Sequence, residues 1–434
     1  VGAVTARRAG LAGALLMIVF VALNLRPAIA GVGPLLTEIS DEFRLSGAAA
    51  GALTTLPLVF FGSYGLVAPF LRRAPRSETL LVSAMALLVA GLLLRLLDAP
   101  ASLWGDDPPH PPATAMFPLF AGSLVAGIAI SIGNIAMPAI IKRDHPSRIT
   151  TVTAVYTVAV TAGASFSSGL AVPVEDVFDS TWRLPLGLLA IPAALAGLLW
   201  VPRARRAAHA ARSAPPPAPA RGVAALVWRS GLAWHVTVFM GLQSLLAYVV
   251  LGWLPTICQD RGMDEAPAGA VLALSAAVQA AGSLSVPVLA RRTRDQRPLV
   301  LATAVLAFAG FVGVTWAPIG TVWFWAVVLG FGQGIGFATA LSFIGLRAHN
   351  AQVAAQLSGM AQGIGYLIAA LGPLGVGALH DATGGWSVPM AGVLVVCLVM
   401  VVPGLSAGRV RAVGEPTGPA SDAVNTEISG HIPK

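Results

Sequence analysis

Apolar runs of about 20 residues, the length a helix needs to cross a bilayer, recur through this chain, and they leave it little choice of fold. Twelve can be read, near residues 10–36, 47–71, 78–97, 116–141, 149–172, 183–201, 230–257, 267–290, 298–317, 320–346, 352–379 and 385–405. Hydrocarbon offers no hydrogen-bond partner to a peptide group, so runs of this length must close their backbone bonds as helices. The expected class is an all-α membrane protein. Composition agrees: of 434 residues 56% are hydrophobic and 11% charged, where soluble domains carry roughly a quarter charged residues.

The net charge of +8 would suit a nucleic-acid partner, but its distribution argues otherwise. With the first residue placed inside and the spans alternating, all of the 27 Lys and Arg fall in cytoplasmic segments except Arg26 and the outer Arg44, Arg95, Arg183 and Arg261. That bias is the positive-inside signature, and it puts both ends of the chain in the cytoplasm of a cell inner (plasma) membrane. No basic cluster with interleaved aromatics marks a nucleic-acid surface. Cys258 and Cys397 lie on different spans and imply no disulfide framework. The opening Arg-Arg and apolar run is read as a first span rather than a signal peptide, because it continues through Arg26 and further spans follow.

Arg26 is the one charged residue expected in the interior of a span. At about 1.5 Å of rise per residue it lies roughly 18 Å from Glu38 and roughly 27 Å from Arg8, too deep to snorkel cheaply to either surface. A buried cation costs about 2.5–3.5 kcal/mol on insertion scales. No Asp or Glu lies within any span to offset it, so a water-filled cavity and a bound anion are the expected compensation. The competing reading is a structural ion clamped by main-chain carbonyls where Pro27 breaks the helix.

Organisation is two-fold. A basic, Pro/Ala-rich segment, 202–229, separates six spans (1–201) from six (230–405) and reads as a cytoplasmic linker; the polar tail, 406–434, is expected to be disordered. The halves echo each other. Gly65-Leu-Val-Ala-Pro-Phe-Leu-Arg-Arg73 closes the second span as Gly282-Ser-Leu-Ser-Val-Pro-Val-Leu-Ala-Arg-Arg292 closes the eighth, and Trp182-Arg-Leu-Pro185 opens the sixth as Trp386-Ser-Val-Pro389 opens the twelfth. Related six-helix halves place a site at their interface near mid-membrane.

Three motifs carry a family likeness. Asn24-Leu-Arg-Pro-Ala-Ile-Ala-Gly-Val-Gly-Pro34, Ile132-Gly-Asn-Ile-Ala-Met-Pro-Ala-Ile-Ile-Lys-Arg-Asp144, and Phe239-Met-Gly-Leu-Gln-Ser-Leu-Leu-Ala-Tyr248 with Gly252-Trp-Leu-Pro255 resemble the cyanate and 2-nitroimidazole transporter family of the major facilitator superfamily. The resemblance implies that superfamily's fold, twelve transmembrane helices in two pseudo-symmetric six-helix bundles. It also implies alternating access and small, often anionic or polar substrates. One departure stands out. The loop after the second span reads Ala-Pro-Phe-Leu-Arg-Arg and lacks the Asp of the superfamily's Gly-x-x-x-Asp-Arg pattern, so the gating contact given to that Asp has no obvious bearer.

The likeness further implies that the first and fourth helices of each half line a central cavity. Each has a mid-depth polar group: Arg26, Asn134, Gln243 with Ser244 and Tyr248, and Gln333. Amides donate without adding charge, and Arg26 supplies the planar fork suited to carboxylate-like groups. Gln362 and Tyr366, spaced i, i+4 on the eleventh span, share a face and complete the candidate substrate-binding set; Gln279 on the eighth span and Tyr156 on the fifth are similar in depth. Asn134 could equally glue helices together. The alternating glycines of Gly330-Phe-Gly-Gln-Gly-Ile-Gly336 read as close helix packing, not as a nucleotide loop.

The expected function is therefore secondary active transport of a small anionic or polar solute, cyanate-like or carboxylate-like, through a monomer embedded in the lipid bilayer. Efflux of a small drug or metabolite such as a nitroheterocycle is the alternative. An intramembrane enzyme would need a zinc pair, a nucleophile elbow or paired carboxylates, none of which the sequence contains, and no cofactor or metal is expected. The coupling partner, a proton or a counter-anion, stays open. A proton path through His380 and Asp381 is conceivable, while anion exchange needs no internal acid.

Overall fold

A computed structural model describes residues 15–43, 77–97, 113–212 and 220–413, with Gly13, Leu45 and Leu53 as isolated positions. Within them eleven helices are long and apolar enough to cross a membrane. They correspond to eleven of the twelve expected spans; the second, near 47–71, lies outside the described residues, as does most of the loop after the third. Long unbroken helices carry the fourth (Ala113–Asp144), fifth (Ile149–Val177), seventh (Gly231–Asp260), eighth (Glu265–Arg291), tenth (Val322–Leu346) and eleventh (Ala351–Thr383) spans. Capping is local and conventional. Ser230 and Asn350 accept the third backbone N–H of the seventh and eleventh spans, and Gly384, at φ 66°, ends the eleventh in the left-handed conformation.

Burial sorts the spans. In the fourth and tenth, 83% and 78% of the most apolar window is buried, against 28% in the eighth and 39% in the third, sixth and twelfth. A helix apolar all round and covered all round is interior. The fourth and tenth spans therefore form the centre, and the third, sixth, eighth and twelfth turn much of their apolar surface outward.

How the two halves meet fixes where a site can lie. One hydrophobic core runs through both halves at the end of the bundle carrying the linker. It joins Ile140, Ile141, Ile149 and Val152 to Leu341, Ile344, Val353 and Leu357. At the opposite, far end, Val32, Leu35, Phe43, Leu119 and Trp182 form a core within the first half. Leu254, Ile257, Val314, Val322 and Met390 form another within the second. Among the described residues the halves are thus sealed together at the linker end and hold separate cores at the far end.

Three details refine the sequence reading. Arg95, just past the end of the third-span helix, is 2% exposed and donates from Nη1 to the Ala28 carbonyl at 2.7 Å, so its side chain is covered by the first span. The segment 202–229, expected as a linker, is helical in part. The sixth-span helix continues through Pro202 to Arg212, and Ala220–Arg229 forms a short helix that buries Val227. The tail is ordered as far as Val413, whose N–H donates to the Arg347 carbonyl while its own carbonyl accepts from His349. Arg347 fastens this end of the chain by donating to the Ala407 and Gly408 carbonyls and to Gln296.

Candidate functional site

The first span is broken where the sequence puts Arg26 before Pro27. Proline lacks an N–H and disfavours helical backbone in the residue preceding it. Residues 15–22 are helical, 23–26 are not, and helix resumes at Pro27–Ala30 with Arg26 at φ −126°, ψ −23°. Neighbours hold the broken backbone in place. Ser167 donates to the Pro27 carbonyl at 3.0 Å and Arg95 to that of Ala28, while the Leu23 carbonyl packs so closely on Gly163 that a Cβ there would collide with it. The role of an ion clamped by main-chain oxygens at the break is therefore filled by Arg95, and the Arg26 side chain is left to point elsewhere.

It points between the halves. The guanidinium hydrogen-bonds the Tyr366 hydroxyl and lies 5.5 Å from the centre of the Phe337 ring. Tyr248 and Tyr156 stand close enough to feel its charge. The Tyr248 and Tyr366 rings meet edge to face, 6.2 Å apart at 67°. Arg26 sits deep among protein atoms yet stays partly accessible to a water-sized sphere, as do Tyr248 and Phe337. A group with both properties lines an internal hollow. Among the described residues no carboxylate lies within ion-pair distance of Arg26. Hydroxyl oxygens and a ring face, worth about 0.5–2 kcal/mol for the cation–π contact, meet the charge without neutralising it.

A second polar group adjoins this one. Tyr156 donates to Asn134 Oδ1 at 2.7 Å, and Asn134 Nδ2 turns back to the Ile130 carbonyl at 2.9 Å. Gln362 Nε2 reaches across the halves to the Asn134 main-chain oxygen at 3.0 Å and also donates to Ser358 at 2.8 Å. The structure thus gathers Arg26, Asn134, Tyr248, Gln362 and Tyr366 of the expected set, together with Tyr156, which the sequence also singled out, and adds Phe337. Phe337 stands one helical turn beyond Gln333 on the tenth span, a spacing that marks a shared face but not what that face meets.

Two candidates are placed differently. Gln243 spends its amide on Ser244 at 2.7 Å and the Met240 carbonyl at 3.3 Å, and Gln333 reaches the Leu246 carbonyl of the seventh span at 3.4 Å. Both are buried; Gln243 bonds within its own helix, whereas Gln333 ties the tenth span to the seventh. The glycines around Gln333 pack as expected: Gly330 and Gly334 press on the main chain of the eighth span at Ser275 and Gln279.

His380 stands apart from Arg26, at the far end, 3.8 Å from Asp260 and 3.9 Å from Asp381, with the Trp386 ring 4.2 Å away. At the linker end an ion-pair cluster joins three spans. Arg143 pairs with buried Glu78 at 2.7 Å and with Asp144 at 2.8 Å, and Asp144 also pairs with Arg203, joining the third, fourth and sixth spans. An apolar fissure of about 330 Å³ runs along the outside of the first-span break, lined by Phe20, Asn24, Gly163, Phe166 and Leu186. Asn24 turns to it and bonds the Phe20 carbonyl at 2.7 Å, away from Arg26. Cys258 and Cys397 are both free and buried, and no His, Cys, Asp or Glu group able to hold a metal occurs among the described residues.

Residues 11–372 match the sequence profile of the Major Facilitator Superfamily. The chain belongs to that superfamily. It is 38% identical over 393 residues to the 2-nitroimidazole transporter of Escherichia coli, a match covering 90% of this chain and 94% of the relative. Its identity to the E. coli cyanate transport protein CynX is 29%, covering 86% and 91%. The fold resembles that of the proton:xylose symporter XylE with a TM-score of 0.67 at 14% identity, over 91% of this chain and 94% of that one. The protein is a multi-pass membrane protein and a secondary transporter related to the cyanate and 2-nitroimidazole carriers.

Proposed function

We propose that the chain carries a small, planar, anionic or polar solute by alternating access, with Arg26 as the anchoring group. The observation behind this reading is the pairing of a deep, partly accessible guanidinium, without a carboxylate partner among the described residues, with hydroxyls and aromatic faces contributed by both halves. A carboxylate, cyanate or nitro group presents oxygens or a charge end-on to the fork, and flat neighbours suit a flat solute. Tyr248, Tyr366 and Phe337 would form its walls, with Asn134 and Gln362 beneath, and Gln243 and Gln333 would stiffen the frame. The positive-inside bias supports cytoplasmic ends, so the far end would face outward. The protein would work as a monomer in the bilayer, coupled to a proton or a counter-anion.

Export of a nitroheterocycle is favoured as a second reading by the 38% identity to a 2-nitroimidazole transporter. The first experiment separates the two. Purified protein is screened by thermal shift against cyanate, small carboxylates and 2-nitroimidazole, and hits are repeated on Arg26→Ala and Arg26→Lys. Ligand binding to the folded state raises stability by mass action. Arg26→Ala should erase the shift and Arg26→Lys should weaken it, because the two-pronged fork is lost. Ligand shifts that survive unchanged in Arg26→Ala would remove Arg26 from the site.

A further inference from the structure

We infer that the carrier is an obligatory exchanger of monoanions: the Arg26 site closes at both ends only when a singly charged anion fills it, so each inward passage is matched by an outward one. This deepens the reading above by naming its coupling, and it rests on that reading.

Charge balance carries the argument. No Asp or Glu lies in the interior of any of the twelve apolar runs, the second included. The groups that meet Arg26 are the Tyr366 hydroxyl and the Phe337 ring, with Tyr248 and Tyr156 within its field. Three of the chain's four tyrosines thus gather at one cation, and as neutral dipoles they turn toward its charge without cancelling it. The empty site keeps the whole charge of the guanidinium. A bound monoanion brings it to neutral, and a dianion would overshoot.

That charge matters most in the step between the two open arrangements. The linker end is sealed by Ile140, Ile141, Leu341, Ile344 and Leu357, so the far end must close before the linker end opens. During that passage the hollow is cut off from bulk water, where an unpaired ion is far more costly than in solution. An anion held on the guanidinium fork removes most of that cost. The empty carrier therefore meets a barrier that the loaded one does not, and it waits for an anion before it returns. A proton offers no way round. A carrier that returns empty could pair its cation with a carboxylate that has just released a proton, but the carboxylates nearest the spans stand at the ends of the bundle, Asp260 and Asp381 with His380 at the far end and Glu78 and Asp144 at the linker end.

The test is counterflow in vesicles that hold the purified full chain. Radiolabelled cyanate, acetate and 2-nitroimidazole are each offered outside vesicles preloaded with the same unlabelled compound or with an impermeant sulfonate buffer alone, and rates in protein-free vesicles are subtracted. Uptake should be at least about tenfold faster into preloaded vesicles, since a bare buried cation adds more to the barrier than a factor of ten in rate requires. It should also ignore a potential set with valinomycin and potassium, because one charge leaves for each that enters. Equal rates into the two kinds of vesicle, for a probe whose thermal shift Arg26→Ala erases, overturn the inference and leave the Arg26 site standing. Uptake that follows the potential overturns it as well. If no probe gives an Arg26-dependent shift or counterflow, the site reading fails and this inference fails with it. A second measurement follows the return step itself. In nanodiscs, Leu341→Cys in the sealed core reacts with a thiol reagent only when the linker end opens. Molecules that start sealed should label slowly without anion and faster once a binding anion is added. With Arg26→Gln also present, labelling should be fast without anion and unchanged by it, because no charge then has to be closed in. Labelling that ignores the anion while Arg26 is present overturns the inference.

Discussion

At the scale of single residues, the first-span break separates two arginines that look alike in sequence but have different partners. Arg95 ends on a carbonyl, and Arg26 ends on Tyr366 beside an aromatic face. Tyr366→Phe keeps the ring packing and deletes the acceptor, leaving a deep guanidinium N–H unpaired at a cost of about 1–3 kcal/mol. The expected result is a lower melting temperature without ligand and a larger upward shift than wild type at a saturating concentration of a binding solute, which replaces the lost acceptor. Equal ligand shifts in the two proteins would show that Tyr366 does not share Arg26 with the solute. Glu42 gives a pH-dependent counterpart outside the membrane-spanning segments. Burial opposes its ionisation, but hydrogen bonds from Arg183 at 2.6 and 3.0 Å and from Trp182 at 2.6 Å prevail and hold the carboxyl below its ordinary range. A depressed carboxyl stabilises the fold above its unfolded value of about 4.3 and loses that contribution as pH falls through the lower folded value. The melting difference between wild type and Glu42→Gln should therefore be full at pH 7 and should shrink as pH falls below about 4. A difference independent of pH would assign the effect to packing instead.

At the scale of helices, the tenth span carries two polar groups that the core does not use. Among the described residues the hydroxyls of Thr339 and Ser342 are buried without partners, close in sequence to the Leu341 and Ile344 that join the halves at the linker end. Removing a dry hydroxyl is neutral or favourable when shape is kept. The double variant Thr339→Val, Ser342→Ala should raise thermal stability by about 1–2 kcal/mol and slow transport by favouring the closed linker end. A drop in stability would mean that the hydroxyls have partners after all. The same span shows what sequence can and cannot disclose. Its length, apolarity and close glycine contacts were legible, because they follow from periodicity and residue size. That Gln333 turns to the Leu246 carbonyl while Phe337, one turn on, meets Arg26 was not legible. Which face of a uniformly apolar helix looks inward is decided by its neighbours, and the sequence of one helix carries no periodic mark of it. The break in the first span was foreshadowed by Pro27, but its main-chain partners come from the third and fifth spans, remote in sequence. Asn134, Gln362 and Tyr366 could be suspected from depth alone; that they gather near Arg26 and Tyr156 depends on how the two halves dock.

At the scale of the whole molecule, the arrangement of cores decides from which side the Arg26 hollow is reached. The halves share a dry core at the linker end and keep separate cores at the far end among the described residues. Alternating access requires two such arrangements to lie within a few kcal/mol of each other. A bound solute shifts the balance only by its difference in affinity between them. In the arrangement seen here, water and solute should reach Phe337 and Tyr248, which are partly accessible, from the far side alone. Single cysteines test this well, because the native Cys258 and Cys397 are both buried and add little background. Phe337→Cys should react with a membrane-impermeant thiol reagent applied at the far face and should be protected by a solute that binds Arg26. Leu341→Cys, one turn deeper in the sealed core, should stay unreactive until the linker end opens. The solute concentration that protects Phe337→Cys should match the one that raises the melting temperature. If Leu341→Cys labels as fast as Phe337→Cys from the far face, the halves are not joined at the linker end, and the hollow around Arg26 is an open channel rather than a carrier's occluding site.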